Sequence, residues 1–242
     1  MTIILARRGT LAKPASVLGA APFNIAWAHA VWAGDPLWTP PTDGNPVDSM
    51  RNQSGGGDPA STGGNRPTYR AATAAYNNKP TVQFAGASSQ RLDIDVADIA
   101  QPYSLVVVGN TAGGASGERI VGTGATSGGI GDSTTNFNAS SAGTNITGGA
   151  TDANPHLFRL YANTSPNAAF EIDGTVVVTG NAGSAAYQRL TLGASSNSTP
   201  AYNNYVTGHV AFVGVFSGDV TAAGGWADFK AWVASEYNLV IA

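Results

Sequence analysis

The chain has 242 residues, 12 Lys and Arg against 15 Asp and Glu, a formal charge of −3 and no cysteine. The length fits one all-β domain, the missing Cys excludes disulfides, thiolate nucleophiles and cysteine metal sites, and the lack of a basic cluster excludes nucleic acid as the main partner. Gly, Ser, Thr and Asn supply 31, 19, 23 and 18 residues, so short strands joined by many turns are expected.

The apolar stretch over residues 17–33 follows Arg7 and Arg8 in the manner of an export signal. Pro22, Asn24 and His29 interrupt it, and no run reaches the roughly 18 apolar residues of a membrane helix. Residues 1–25 are therefore expected to form an N-terminal docking arm and residues 26–242 one domain. Residues 40–69 are rich in Pro, Gly and Asn turns, with one short strand expected at 47–51. A strand follows at 80–84. Leu92, Ile94 and Val96 then alternate with Asp93 and Asp95, the pattern of a strand with one wet face.

Residues 104–109 form a continuous β-branched run, expected as a strand covered on both faces, and 119–122 repeat it more weakly. Between 122 and 149 the chain is mostly Gly, Ser, Thr and Asn, with short strands expected at 129–130 and 136–138. Residues 157–162 and 168–172 read as strands. The pair Asp173-Gly174 then predicts a tight hairpin into 175–179, because glycine adopts positive φ without steric cost. Strands are expected again at 190–193 and 208–216. At the end the period changes: Trp226, Phe229, Val233 and Tyr237 mark one helical face, with Thr221 as the expected cap. The fold class expected is all-β, an antiparallel sandwich with about ten to twelve strands closed by one C-terminal amphipathic helix.

Four segments, in order, resemble the concanavalin A-like lectin and laminin G-like jelly roll of phage virion proteins and secreted bacterial modules. The first is residues 43–55, with Met50 where the family has Trp. The second is Arg66-Pro67-Thr68-Tyr69 followed by residues 78–86, with Ala85 replacing the usual Asp. The third is residues 170–174 followed by 190–193; the fourth is 208–216 with the helix tail at 235–239. The resemblance spans about residues 26–242 and implies a jelly roll. Size and composition resemble minor tail or virion-surface proteins of tailed phages, which implies a non-enzymatic virion protein displaying loops to host-surface glycan. Its implied partners are other virion proteins and a second copy of itself, the latter through an arm bearing Ile3, Ile4, Leu5 and Leu11. Nucleic acid and membrane are not expected partners. The alternatives are a capsid decoration protein, a glycosidase or depolymerase acting on the host envelope, and a secreted lectin.

The same superfamily contains retaining glucanases, whose chemistry needs two carboxyl groups about 5 to 5.5 Å apart. This chain has only Glu118, Glu171 and Glu236 as glutamates, none near another in sequence. Asp93-x-Asp95 is the one alternating acidic pair on an expected strand, more simply read as a solvated face. Glu171 is expected to be an exposed strand residue and His209 a hydrogen-bonded sheet residue. Gly-x-Ser-x-Gly, HExxH and P-loop patterns are missing. No juxtaposed carboxyl couple and no enzymatic activity are therefore expected.

Calcium is the remaining cofactor candidate, with Asp132, Asn136 and Asn138, beside Thr134, as an alternating run of oxygen ligands. A polar loop or strand is the simpler reading of that run. Carbohydrate binding would use aromatic rings beside amides: Trp38, Tyr69, Tyr202, Asn203, Asn204 and Tyr205. Trp226 and Trp232 are assigned to helix packing.

Overall fold

The computed structural model describes residues 25–113, 117–124, 128–141, 144–164, 166–196 and 202–242. The expected docking arm, residues 1–25, lies outside them except for Ile25. Sixteen strands occur among the described residues. They are β1 (His29–Trp32), β2 (Thr68–Thr73), β3 (Lys79–Phe84), β4 (Leu92–Ile99), β5 (Tyr103–Thr111), β6 (Arg119–Gly122), β7 (Gly129–Asp132) and β8 (Asn136–Ser140), then β9 (Ile146–Ala150), β10 (His156–Ala162), β11 (Ala168–Ile172), β12 (Thr175–Gly180), β13 (Tyr187–Leu192), β14 (Ser195–Ser196), β15 (Tyr202–Asn203) and β16 (Gly208–Ser217). One helix, α1 (Trp226–Tyr237), follows. It is too short to cross a membrane.

The strands form two stacked antiparallel sheets. The larger runs β12-β11-β10-β5-β16-β3-β2, with β1 paired to β16 beside β3. The smaller runs β4-β13-β6-β7-β8-β9, and β14 pairs with β15 as a separate short ribbon. This is the antiparallel sandwich with a C-terminal helix that the residue pattern indicates.

The two faces of β5 explain its unbroken apolar run. Tyr103, Leu105 and Val107 enter the core between the sheets, while Val106 and Val108 join a second cluster beneath α1. The helix buries Trp226, Phe229, Val233 and Tyr237, the four residues of the expected face. Phe229 lies 5.2 Å from Phe212 and 5.6 Å from Trp27, centroid to centroid. Trp232 also packs there, against Trp32 at 5.4 Å. Thr221 is not the cap. It lies in a 3₁₀ turn headed by Asp219, whose carboxylate accepts the Thr221 N–H, and Gly225 precedes α1 in a left-handed conformation.

Several elements differ from expectation. Residues 47–51 make no strand, because their backbone N–H groups turn to different neighbours: Val47 donates to Pro67 and Met50 to Pro59. What remains is a row of isolated bridges, including Ser49 with Ala60 and Ala60 with Asp93. The apolar residues 29–32, read as the end of a long apolar stretch, form β1. This strand is covered on both faces, with Val31 in the inter-sheet core and Ala30 beneath the helix. The polar region 122–149 holds β7, β8 and also β9, whose Gly-rich sequence hides the strand. The hairpin at 173–174 is as expected: Asp173 and Gly174 have φ of 52° and 81° and join β11 to β12.

Candidate functional site

On β4, Leu92, Ile94 and Val96 face or border the core, so Asp93 and Asp95 point from the opposite face of the smaller sheet. The antiparallel register sets Arg189 of β13 opposite Asp95 and Thr191 opposite Asp93. Arg189 therefore reaches both acids: its Nη1 donates to Asp93 Oδ2 at 2.6 Å and its Nη2 pairs with Asp95. The Tyr202 hydroxyl joins the same oxygen, donating to Asp93 Oδ2 at 2.6 Å and accepting from Arg189 Nη1 at 3.0 Å. Arg91 stacks its guanidinium 3.9 Å from the centre of the Tyr202 ring. Burial, with the adjoining Asp93 carboxylate, raises the Tyr202 phenol above its ordinary range. Asp93 and Asp95 are thus partners of one arginine rather than an acid/base pair.

Beside this cluster lies a hollow of about 260 Å³ lined by Asp95, Val96, Asp98, Gln188 and Arg189. The cluster continues into the loop carrying the other expected sugar-binding residues. Asn203 is exposed, but its side-chain oxygen is taken by the Ser195 hydroxyl. Asn204 is exposed and left-handed, and its carbonyl accepts the Arg119 N–H at 2.8 Å. The Tyr205 hydroxyl donates to the Tyr202 carbonyl at 3.4 Å.

Trp38 and Tyr69 lie elsewhere. Tyr69 is only 6% exposed and belongs to the core; Trp38 packs edge-on against it at 5.7 Å. Tyr69 is therefore no stacking platform for a sugar, because Trp38 covers it. Trp38 itself is half-buried and is set by a turn around Asp35. The Asp35 carbonyl accepts the Trp38 N–H at 3.1 Å, and its carboxylate holds the Leu37 N–H and Arg51. It lines a second hollow of about 310 Å³ with Thr39, Pro40, Pro41, Pro46, Asp48 and Ser49. Of the expected aromatic residues, Trp38 alone lines either hollow, while Tyr202 lies in the polar cluster beside the other one.

The expected calcium ligands do not converge. Asn138 Oδ1 is occupied by Arg119 Nη1, and Asn136 donates to the neighbouring Thr135 hydroxyl. No group of three or more His, Asp or Glu positioned for a metal occurs among the described residues. Asp132 instead has a partner that local spacing does not reveal. β6 and β7 pair so closely that a Cβ at Gly131 would sit 1.8 Å from the Glu118 carbonyl, and the Asp132 N–H donates to that carbonyl at 3.1 Å. Glu118 and Asp132 are therefore neighbouring acids, contrary to the expectation of no carboxyl couple. Burial, then the Asp132 charge, pushes Glu118 up to about 7. Burial also raises Asp132, against the Thr111 hydroxyl, nearby backbone N–H groups and Arg119. Arg119 is in turn lowered to about 10 by burial. Neither acid lines either hollow.

Glu171 is likewise not exposed: it is buried and paired with Arg159 through both carboxylate oxygens. His209 is hydrogen-bonded within the sheet, 2.9 Å from the Thr81 hydroxyl, and burial lowers its pKa.

No family model and no curated protein sequence matches the chain. Its fold is similar to that of Trypanosoma rangeli sialidase in complex with sialic acid, with a TM-score of 0.51 and 10% identity over 92% of this chain and 35% of that one. The ligand-binding domain of botulinum neurotoxin serotype D, in complex with N-acetylneuraminic acid, gives 0.52 and 8% over 87% and 51%. The binding domain of Paraclostridial Mosquitocidal Protein 1 gives 0.51 and 8% over 79% and 51%. The chain thus spans about a third of the sialidase and about half of each toxin domain. At these identities the likeness is one of fold.

Proposed function

We propose that this chain is a non-enzymatic, glycan-binding β-sandwich module, and that its place is the surface of a tailed-phage particle, as a minor tail protein. The observation that carries the glycan reading is the Arg91–Asp93–Arg189–Tyr202 cluster beside an open hollow. Arg189 is the cluster member that lines the hollow, with Asp95, Asp98 and Gln188, and it is held in place by Asp93, Asp95 and Tyr202, so hydroxyl groups entering the hollow meet oriented partners at little ordering cost. The toxin domain in complex with N-acetylneuraminic acid supports a sandwich of this shape as a sugar-binding scaffold.

The virion placement rests on the resemblance of four segments to jelly rolls of phage particles. In this reading residues 1–25 dock the domain to another virion protein or to a second copy of itself. Particle reconstruction separates the tail placement from a capsid decoration role. An array of neutral and acidic glycans probed with the full chain tests the binding function. Retention of no glycan would overturn it.

Hydrolysis is the competing reading. Glu118, held at about 7 beside Asp132, has the protonation an acid catalyst needs near neutral pH. The couple borders neither hollow, which sets this reading below binding. Release of reducing ends from host envelope polysaccharide, abolished by Glu118→Gln, would reverse that order.

A further inference from the structure

Resting on the glycan reading, we infer that the two hollows are subsites of one track and that its ligand is a neutral, linear glycan of three or more sugars. The row of isolated bridges joins them. Ser49, which lines the Trp38 hollow, lies opposite Ala60, and Ala60 lies opposite Asp93. Asp93 is bound by Arg189, which lines the second hollow. Residues directly opposite one another on antiparallel strands share a face, so Ser49, Ala60 and Asp93 form one floor. Exposed Ala60 keeps that floor low between the hollows. Three strand spacings, about 14 Å, separate Ser49 from β13, and the second hollow begins two residues, about 7 Å, farther along β4 at Asp95, a path of roughly three pyranose rings or more.

The two ends offer complementary contacts. Trp38 with Pro40, Pro41 and Pro46 supplies an apolar wall for the C–H face of a sugar ring, and the Arg189 end supplies fixed polar groups. Along the two ends four carboxylates, Asp48, Asp93, Asp95 and Asp98, stand against three guanidiniums, Arg66, Arg91 and Arg189, and each guanidinium is ion-paired with one or two of these acids, so the surplus charge is negative. Asp48 and Asp95 have side chains 76% and 77% exposed, and Asp98 is exposed as well. The guanidiniums of Arg91 and Arg189, 18% and 7% exposed, are already committed to Asp93 and Asp95. An anionic sugar would meet carboxylates first, whereas the hydroxyls of a neutral one can donate to them.

The test is calorimetric titration of the full chain with neutral linear oligomers of two to six sugars, in the β-1,3-glucan, β-1,4-glucan, xylan, mannan and maltose series. Oligogalacturonates of the same lengths form the anionic arm. For the series that binds, Kd is expected to tighten at least tenfold from the disaccharide to the tetrasaccharide and then to level off. Trp38→Ala is expected to reduce that gain to about one. Asp48→Ala, a change at an exposed position, is expected to diminish it also. Oligogalacturonates are expected to bind at least tenfold more weakly. Binding that does not vary with length, or a length gain unchanged in both variants, overturns the track while leaving the glycan reading in place. Tighter binding of oligogalacturonate overturns the neutral class. Absence of binding to every oligomer overturns the track and the glycan reading together.

Discussion

Glu118 and Asp132 meet across the paired ends of β6 and β7, where the Asp132 N–H donates to the Glu118 carbonyl at 3.1 Å, and burial, then the Asp132 charge, raises the pKa of Glu118. The sign of the consequence follows from the folded pKa of about 7 against an ordinary value of 4.5. Between these values the unfolded chain has lost the proton that the folded chain keeps, so stability falls as pH rises through this window and the penalty persists above it. Glu118→Gln is expected to flatten the decline from pH 4.5 to 7 and to raise stability above pH 7. Urea unfolding at a series of pH values measures this. An unchanged slope in the variant contradicts it.

His156 adds a second, separable dependence. Its Nδ1 lies 2.6 Å from Asp173 and its Nε2 2.9 Å from Asp152. Burial opposes protonation, but the two carboxylates outweigh it and raise the pKa above 6.5. The stabilisation is fully present below pH 6.5 and is lost as pH rises through the folded pKa. His156→Asn is expected to be less stable than the parent at pH 6 and to approach it by pH 9. Equal destabilisation at both values would show that the ring acts by packing on Phe137 rather than by charge.

Arg159 and Glu171 form an ion pair on the helix-side face of the larger sheet, with side chains 6% and 11% exposed. Removing Glu171 leaves the buried Arg159 guanidinium with only the partly exposed Asp219 carboxylate, 3.1 Å away, and breaking a buried pair in this way costs about 3–5 kcal/mol. Glu171→Ala is expected to lower the unfolding free energy by that amount. The double change Arg159→Leu with Glu171→Leu is expected to cost far less, because no buried charge then remains. Equal losses in the single and double variants would contradict this.

Phe229 anchors α1 against Trp27 and Phe212 and has no exposed surface. Phe229→Ala is expected to cost about 3–5 kcal/mol through lost burial and the cavity left behind. Thermal unfolding followed by tryptophan fluorescence, which reports Trp27 and Trp226 nearby, measures it. A loss below about 1 kcal/mol would mean that the neighbouring rings close the cavity.

What could be read from the chain depended on how local its cause was. The Asp173-Gly174 turn, the two-faced β5 and the α1 face each follow from residues within a dozen positions of one another. Asp93 and Arg189 lie 96 positions apart and meet only because β4 pairs with β13. Glu118 and Asp132 approach because β6 and β7 run edge to edge at Gly131. No periodicity encodes such a register, so the polar cluster could be named only in part, through Asp93, Asp95 and Tyr202 without the arginines that join them, and the carboxyl couple was missed. Tyr69 shows the converse. Its ring suits a sugar surface by type, but the turn at Asp35 lays Trp38 across it.

The central claim is that the hollow between Asp95 and Gln188 receives sugar hydroxyls. Asp95 suits the test because its side chain is 77% exposed and Arg189 keeps Asp93 and the Tyr202 hydroxyl as partners when it is removed. Calorimetric titration of wild-type chain and Asp95→Ala with laminarihexaose, cellohexaose, xylohexaose, mannohexaose and maltohexaose is the direct measurement. Saturable binding of at least one hexasaccharide is expected, weakened about tenfold or more in the variant by loss of a charge-assisted hydrogen bond. Saturable binding of equal strength in both proteins would contradict the account, as would no binding by either.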